Sequence, residues 1–310
     1  MRQLITFIII YVSIPVMLMN ISSQTYSSEM NNNVREQEPL FSFGMIADIQ
    51  YACTEPVGTR FYRSSLHKLR EAVTKLRKDS VDFVITLGDM IDRDIKSYEP
   101  ILNILDSSGL RFYHITGNHD YSVAPEKKRD LPAVFNTWPG YYSLIHKNYR
   151  FIFLNGNEIS TYSSNNKAII SQANTLLGEL RNRGESNAVE WNGGISDRQL
   201  AWLDDQMNKA ACKNEKVLIF CHFPVFPENI HNLLNYNEVL DVLADHQHAI
   251  AWFNGHNHAG NYGRYKGTHF VTMKGMVESE TQNSFARIDV CSNKICIIGS
   301  GRENSRILEY

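Results

Sequence analysis

The chain has 310 residues, 43% of them hydrophobic, which is enough for one large domain or two small ones with a sizeable core. Its 33 acidic and 31 basic residues nearly balance, for a formal net charge of −2. The chain therefore lacks the basic excess that counterion release on nucleic acid would exploit, and a nucleic-acid partner is not expected. We interpret it as one catalytic domain.

The first 24 residues have the layout of a secretory signal peptide: Arg2, an apolar run from Leu4 to Met19, and small polar residues. The run contains a proline and is short for a spanning helix of about 20 residues, which favours cleavage over an uncleaved membrane anchor. The polar residues 25–39 predict a disordered spacer, and residues 40–310 the catalytic domain. We expect an exported protein, periplasmic or extracellular, or a membrane-anchored one if the signal is uncleaved.

Strand-like apolar runs alternate with helical patterns in the first part of the domain. Leu66, Leu69, Val73 and Leu76 recur at helical spacing and predict a helix over Tyr62–Lys78. This alternation favours an α/β sheet covered by helices on both faces. Five strands and a second helix are predicted at Phe43–Ala47, Phe83–Leu87, Phe112–Thr116, Val217–Cys221, Ala249–Phe253 and Pro100–Ser107.

The remaining segments have less regular sequence patterns. Asn157–Glu190 is polar, with one helical stretch near Ser171–Arg183, and is a candidate lid. Ser196 and Gln199 form a capping-box pattern that opens a further helix. A hairpin, another helix and closing antiparallel strands are predicted at Tyr141–Leu154, Tyr236–Ala244, Thr268–Met273 and Ala286–Ile298.

Five cysteines cannot all pair within one chain. Cys291 and Cys296 flank four residues, and a two-residue turn at Asn293-Lys294 would place them opposite each other across a hairpin. An exported chain could oxidise this pair, and two reduced thiols are the alternative. Cys221, within an apolar run, is expected to be a small core residue rather than a nucleophile.

A short polar motif or residue follows each of the five strand-like runs. Taken singly, each has an ordinary explanation: Gly-Asp forms turns, exposed histidines are solvated, and a buried histidine is a satisfied core residue. Together they predict a two-metal site, because the carboxyl ends of parallel strands meet at one edge of a sheet. The motifs are Asp48-Ile49-Gln50, Gly88-Asp89, Gly117-Asn118-His119-Asp120, His222 and Gly255-His256-Asn257-His258.

Two cations about 3.5 to 4 Å apart need a shared ligand, and a carboxylate can bridge them where a neutral imidazole cannot. Asp89 is the candidate bridge. Oxygen and nitrogen ligands without sulfur suit Mn²⁺, Zn²⁺, Co²⁺ or iron. The predicted ligands are Asp48, Gln50 and His258 for one metal, and Asn118, His222 and His256 for the other.

The motif series resembles the calcineurin-like metallophosphoesterase superfamily and, within it, the manganese-dependent ADP-ribose/CDP-alcohol diphosphatase family. Gln50 stands where the superfamily usually has histidine, and Gly58-Thr59-Arg60 and Asn192-Gly193-Gly194 also match this branch. The resemblance runs from Phe41 to about Tyr310. It implies an α/β four-layer sandwich, in which two mixed β-sheets pack together and helices flank them. It also implies two divalent ions, manganese foremost, and a small phosphorylated nucleotide-type substrate.

The expected reaction is hydrolysis of a diphosphate linkage in compounds such as ADP-ribose and CDP-alcohols, by attack of a metal-bridging hydroxide. His119 is the candidate donor to the phosphate or the leaving oxygen. Arg60 and Arg63 are candidate ligands for the second phosphate, with solvated arginines on a helix as the alternative. A broad phosphomonoesterase or phosphodiesterase remains open, as does a binding module that has lost turnover.

Overall fold

The computed structural model describes residues 38–134 and 140–310. The signal peptide, its anchor alternative and residues 25–37 of the spacer lie outside this part of the chain and stay predictions. Pro39–Tyr310 form one compact unit. Among the described residues, no helix has the length and apolar character needed to cross a membrane.

Strands and helices alternate in the first half of the described chain, and strands dominate its end. The strands are β1 Phe41–Ile46, β2 Phe83–Leu87, β3 Phe112–Ile115, β4 Tyr142–His146, β5 Tyr149–Phe153, β6 Lys216–Phe220, β7 Ala249–Asn254, β8 Asn261–Tyr265, β9 Thr268–Thr272, β10 Ser284–Val290, β11 Lys294–Gly301 and β12 Arg306–Glu309. The α-helices are α1 Ser65–Lys78, α2 Tyr98–Ser107, α3 Leu131–Val134, α4 Lys167–Asn182, α5 Asp197–Cys212 and α6 Tyr236–Ala244. Short 3₁₀ turns cover Tyr62–Ser64, Ile95–Ser97, His119–Tyr121 and Pro125–Asp130.

The strands form two mixed six-stranded sheets. The first sheet has the order β12-β11-β10-β1-β2-β3, and the second has the order β4-β5-β6-β7-β9-β8. In the first sheet β1, β2 and β3 run parallel, and in the second β5, β6, β7 and β9 run parallel. The remaining pairings are antiparallel. Both sheets therefore have a central parallel part whose carboxyl ends can carry ligands.

The two sheets pack face to face, and helices cover their outer faces. Between the sheets, Phe43 and Phe83 stack with ring centroids 5.5 Å apart, and Phe43 meets Phe220 of the second sheet edge to face at 6.2 Å. Helices α1 and α2 pack on the first sheet, and α5 and α6 on the second. This confirms the expected four-layer sandwich. Its apolar layers hold the strand ends in fixed positions.

Most predicted elements are present with boundaries shifted by a few residues. The predicted Tyr62–Lys78 helix begins as a 3₁₀ turn, and α4 begins at Lys167, four residues before the predicted start. Ser196 caps α5 by accepting from the backbone N–H of Gln199 at 3.3 Å. The Gln199 side chain does not complete the capping box, because its amide bonds to Asn155 and Glu158.

The C-terminal strands differ from the prediction in their pairing. Strand β9 does not join the closing antiparallel strands, because it lies parallel to β7 in the second sheet. Strands β8 and β12 were not predicted. The turn between β10 and β11 lies at Ser292-Asn293, where the N–H of Cys291 donates to the carbonyl of Lys294. Cys296 consequently pairs with Asp289, so the prediction that Cys291 and Cys296 are directly opposite is wrong. All five cysteines lie in the described part of the chain, and none of them forms a disulfide.

Candidate active site

All seven predicted ligands converge at the edge where the parallel strands of both sheets end. Asp48 and Gln50 follow β1, Asp89 follows β2, and Asn118 follows β3. From the second sheet, His222 follows β6, and His256 and His258 follow β7. Their potential ligand atoms form two groups, and within each group they lie within 4.8 Å of one another. The groups are Asp89, His222 and His256, and Asp48, Asp89 and His258.

The two amide side chains join these groups. Asn118 Oδ1 lies 3.2 Å from His222 Nε2, and Gln50 Nε2 lies 3.0 Å from Asp89 Oδ2 and 3.1 Å from His258 Nε2. Asp89 belongs to both groups, as expected of a ligand that bridges two metals. The structure thus brings together the two ligand sets that the sequence predicts.

Backbone strain is concentrated at the ligands. Asp48, Gln50, Asp89 and His256 have φ angles of 51°, 43°, 50° and 66°, in the left-handed region that residues other than glycine seldom adopt. Such strain persists where the surrounding structure enforces it, and it is common at functional sites. At these four positions, the positive φ angles turn the backbone sharply after the strand and direct the ligand side chain toward the other ligands.

Two glycines allow the loops after β2 and β3 to pack closely against the ligand side chains. A Cβ atom on Gly117 would lie 2.2 Å from Asp89 Oδ1, and one on Gly88 would lie 2.6 Å from the backbone nitrogen of Gly117. Gly88 also has a φ of 85°. A side chain at Gly117 would therefore displace the Asp89 carboxylate, and one at Gly88 would displace the backbone of Gly117.

Each ligand histidine is held through one ring nitrogen. His222 Nδ1 donates to the carbonyl of Leu87 at 2.7 Å, and His258 Nδ1 donates to Glu278 Oε1 at 2.7 Å. His256 Nε2 donates to Asn192 Oδ1 at 2.9 Å. The other nitrogen of each ring is left for a metal, an arrangement in which the outer hydrogen bond fixes the tautomer and the ring orientation.

The charges of the cluster also suit cations. Burial opposes a proton on His222, but the carboxylates of Asp89 and Asp48 raise its pKa to about 9. His258 behaves similarly: burial opposes the proton, and Asp48 and Glu278 raise the pKa to about 9. Burial and the neighbouring His222 lower the pKa of His256, which favours the neutral imidazole that binds metals. Metal binding at this site must therefore release protons from His222 and His258.

Gln50 gives a direct test of whether a metal fits. Its Oε1 is buried without a hydrogen-bond partner among the described residues, while its Nε2 points toward Asp89 and His258. A half-turn about the terminal amide bond exchanges these atoms and places the oxygen among the other ligands. The donor set is then carboxylate, amide oxygen and imidazole, which fits two divalent cations.

Asp120 holds the first-sheet loops in place. Its buried carboxylate accepts from the backbone N–H groups of Asp89 at 2.9 Å and Gly117 at 2.8 Å, and from the Tyr98 hydroxyl at 2.8 Å. Burial and the nearby Asp89 raise the pKa of Asp120 to about 6. Asp120 therefore fixes the two loops that carry Asp89 and Asn118.

His119 lies beside the ligands without belonging to either group. Its backbone N–H donates to Asp89 Oδ1 at 2.7 Å, and its Nδ1 lies 3.2 Å from Asp92 Oδ1. Arg60 Nη1 lies 3.3 Å from His119 Nε2. The predicted acid is thus next to the shared carboxylate, and one predicted arginine is next to the acid.

Arg63 lies elsewhere. Its guanidinium, with the side chain 55% exposed, forms an ion pair with Glu55. No contact among the described residues brings it to the ligand cluster, which favours the alternative of a solvated surface arginine, and its contact with the second phosphate stays a prediction.

Several residues of the site carry roles that were not predicted from the sequence. Asp120 ends its motif and Asp92 lies three residues after Asp89, so both could have been suspected as buried acids near the ligands. Asn192 lies in a segment that the resemblance singles out, but its bond to His256 joins positions 64 residues apart. Glu278 has no motif around it that would have revealed its role.

Two ligand groups that share one carboxylate, at the carboxyl edge of a two-sheet sandwich, define the class of dinuclear metal-dependent phosphoester hydrolases. The family model for calcineurin-like phosphoesterases matches residues 41–260, and the chain belongs to this family. It is accordingly an enzyme, and the non-catalytic binding module is set aside.

Similar proteins extend over most of the chain. A manganese-dependent ADP-ribose/CDP-alcohol diphosphatase from Danio rerio is 29% identical, over 88% of this chain and 99% of its own length. The protein of the same name from Homo sapiens is also 29% identical, over 88% and 94%. The crystal structure of a dimetal phosphatase from Danio rerio superposes with a TM-score of 0.81 at 27% identity, covering 88% of this chain and all of that one.

Proposed function

We propose that the protein hydrolyses the diphosphate linkage of nucleoside diphosphate-linked small molecules, such as ADP-ribose and CDP-alcohols, with two Mn²⁺ ions. The products are a nucleoside monophosphate and a phosphorylated partner. The observation that carries the proposal is the pair of ligand groups joined by Asp89. The similarity to diphosphatases over nearly the whole chain supports the choice of substrate.

The two metal groups have different ligands. Asp48, Gln50 and His258 would hold one ion, with Asp89 shared, and the other would be held by Asn118, His222 and His256. When bound, the two ions supply an activated water and neutralise phosphoryl oxygens. No protein nucleophile is needed for this chemistry.

His119 and Arg60 act on the substrate from beside the ligands. Arg60, whose Nη1 lies 3.3 Å from His119 Nε2, provides guanidinium N–H donors for the second phosphate of a diphosphate. His119 donates a hydrogen bond or a proton to the phosphate or to the oxygen that leaves. Asp92 Oδ1 lies 3.2 Å from the far ring nitrogen, within ion-pair distance but without the geometry of a hydrogen bond.

A substrate panel tests the proposal. The protein is stripped of metal, reloaded with Mn²⁺ and assayed with ADP-ribose, CDP-choline and simple phosphomonoesters. We expect AMP and CMP as products, with kcat/KM for the two diphosphates well above that for the monoesters. Preferential release of inorganic phosphate from monoesters would instead support the broad phosphomonoesterase, which uses the same ligands.

Gln50 is predicted to set the preference for manganese. An amide oxygen is a harder ligand than an imidazole nitrogen, so Gln50→His should broaden metal use toward Zn²⁺ and Co²⁺. Both proteins are stripped and reloaded with each metal, and their activities are compared. Gln282→His, at an exposed position, is the matched control. An unchanged Mn²⁺ preference in Gln50→His would mean that the other ligands or the substrate decide it.

We also propose that the protein is exported, on the basis of its N-terminal signal layout. Cell fractionation with mass spectrometry of the mature N-terminus tests this. A product that begins near residue 25 outside the cytoplasmic fraction is expected, and an intact N-terminus in the membrane fraction would identify the anchor alternative. A full-length product in the cytoplasm would contradict export.

A further inference from the structure

A buried lysine lies next to the active site, and among the described residues its ammonium donates to main-chain carbonyls rather than to a carboxylate. Lys68, on α1, is 1% exposed. Its ammonium donates to the main-chain oxygens of Met276, Glu278 and Ser279, the last two at 3.3 and 2.7 Å. These three carbonyls occupy all three of its N–H donors. Burying an unpaired charge is costly. Because each N–H donor of the ammonium has an acceptor, the charged lysine is a stable part of the folded structure.

The ammonium is present at neutral pH. Burial and the neighbouring Arg302 guanidinium lower the pKa of Lys68 to about 8. Arg302 itself donates to the carbonyl of Gly275. Two cations, Lys68 and Arg302, therefore bind main-chain oxygens of one short segment, residues 275–279, which we call the 275–279 loop.

The other side of the 275–279 loop is attached to the first metal motif. The N–H groups of Met276 and Val277 donate to the carbonyls of Ala47 and Asp48, both at 2.9 Å. The loop is thus held between the end of β1 and the two cations, and its position determines where its side chains meet the ligands.

One of those side chains is Glu278, which accepts from His258 Nδ1 at 2.7 Å. Lys68 binds the main-chain oxygen of this same residue. The backbone of Glu278 also pairs with that of Arg60 in an isolated antiparallel bridge. A continuous chain of contacts therefore runs from Lys68 through Glu278 to the ligand His258.

We propose that Lys68 is a positioning residue for one of the two metals. It fixes the 275–279 loop, so that Glu278 orients His258 toward the ion that Asp48 and Gln50 also bind. The other metal depends on His222 and His256, which are held by Leu87 and Asn192 instead. Loss of Lys68 should therefore weaken one site selectively. The inference rests on the metal assignment made under the proposed function.

Lys68→Met, which removes the charge and keeps the length, tests this in the full-length protein. Mn²⁺ binding is measured by isothermal titration calorimetry, and the coupled two-ion state by electron paramagnetic resonance. We expect the Mn²⁺ affinity of one site to equal that of the unsubstituted protein. The affinity of the other site should fall by about 10- to 100-fold, the usual effect of removing a group that orients a ligand. Lys75→Met is the matched control, because Lys75 lies on the same helix with its side chain 52% exposed.

Glu278→Gln provides the second arm. It should weaken the same site, and Lys68→Met combined with Glu278→Gln should weaken it by little more than either change alone, because both act through His258. If Lys68→Met does not fold, Lys68→Gln, which keeps two N–H donors, replaces it and should give a smaller loss at the same site. A general destabilisation would lower the melting temperature and weaken both sites.

Equal weakening of both sites, or unchanged binding in the Lys68 variant, would overturn the inference. Fully additive losses in the double variant would also overturn it. These results are separate from the proposed function, because they measure metal binding without substrate. If the unsubstituted protein binds two Mn²⁺ ions but does not hydrolyse diphosphates, the substrate proposal is refuted and the role of Lys68 is unaffected.

Discussion

Replacement of Asp89 by alanine is expected to lower turnover at least about 1,000-fold, because two-metal sites supply several kcal/mol of transition-state stabilisation. Asp89 is common to both ligand groups. Its Oδ2 lies 3.0 Å from Gln50 Nε2 and 3.3 Å from His222 Nε2, and its Oδ1 accepts from the N–H of His119. The change therefore removes the shared ligand and the anchor of the neighbouring loop together.

Metal content by atomic emission and hydrolysis of a chromogenic phosphodiester measure the effect. The purified Asp89→Ala protein should hold fewer than two metal ions. Asp106→Ala, which removes an exposed carboxylate from α2, is the control and should keep both the metals and the rate. If Asp89→Ala kept two ions and a near-normal rate, the bridging role would belong to another residue.

Replacement of His119 by alanine is expected to lower turnover by about 100- to 10,000-fold, the range typical of a general acid, while both metals remain bound. The side chain is outside both ligand groups, and the backbone bond from residue 119 to Asp89 persists in the variant. Substrates with basic leaving groups should lose most, because their departing oxygen depends most on a donated proton. Diphosphates should lose less, since a phosphate ester is a weakly basic leaving group.

A series of aryl phosphodiesters with leaving groups of graded basicity measures this dependence. Asp92→Asn should show the same trend with a smaller loss, because it removes the carboxylate beside His119 without removing the imidazole. His67→Ala, at an exposed position of α1, controls for the loss of a histidine as such. An equal loss for all leaving groups would instead assign His119 a positioning role.

Local sequence patterns predicted the elements and the ligands that follow them. The run Phe83–Leu87 is apolar except for Thr86, as expected when both faces of a central parallel strand are buried, and this is visible within five residues. The helical spacing of Leu69, Val73 and Leu76 is likewise a local property. Since parallel strands end at one edge, the polar residues that follow them could be assigned to one site before any contact was known.

Pairing between distant segments could not be predicted in this way. Nothing local distinguishes β9, which pairs with β7 in the second sheet, from β10, which pairs with β1 some 245 positions earlier in the first. The register of the Cys291 hairpin depended on a one-residue difference in the turn, because the turn type and loop length fix the register of a hairpin.

The sequence by itself predicted the seven candidate ligands and the carboxylate common to both groups, because each follows a strand within its motif. The strand and helix pattern alone predicted one sheet with helices on both faces, and the two-sheet sandwich was predicted only through the family resemblance. The tertiary structure decided how those ligands are held. Glu278 reaches His258, Asn192 reaches His256, and Lys68 reaches the 275–279 loop across 208 or more positions. It also separated Arg60, beside His119, from Arg63, at the surface. These contacts depend on the packing of remote segments, and no local periodicity records them.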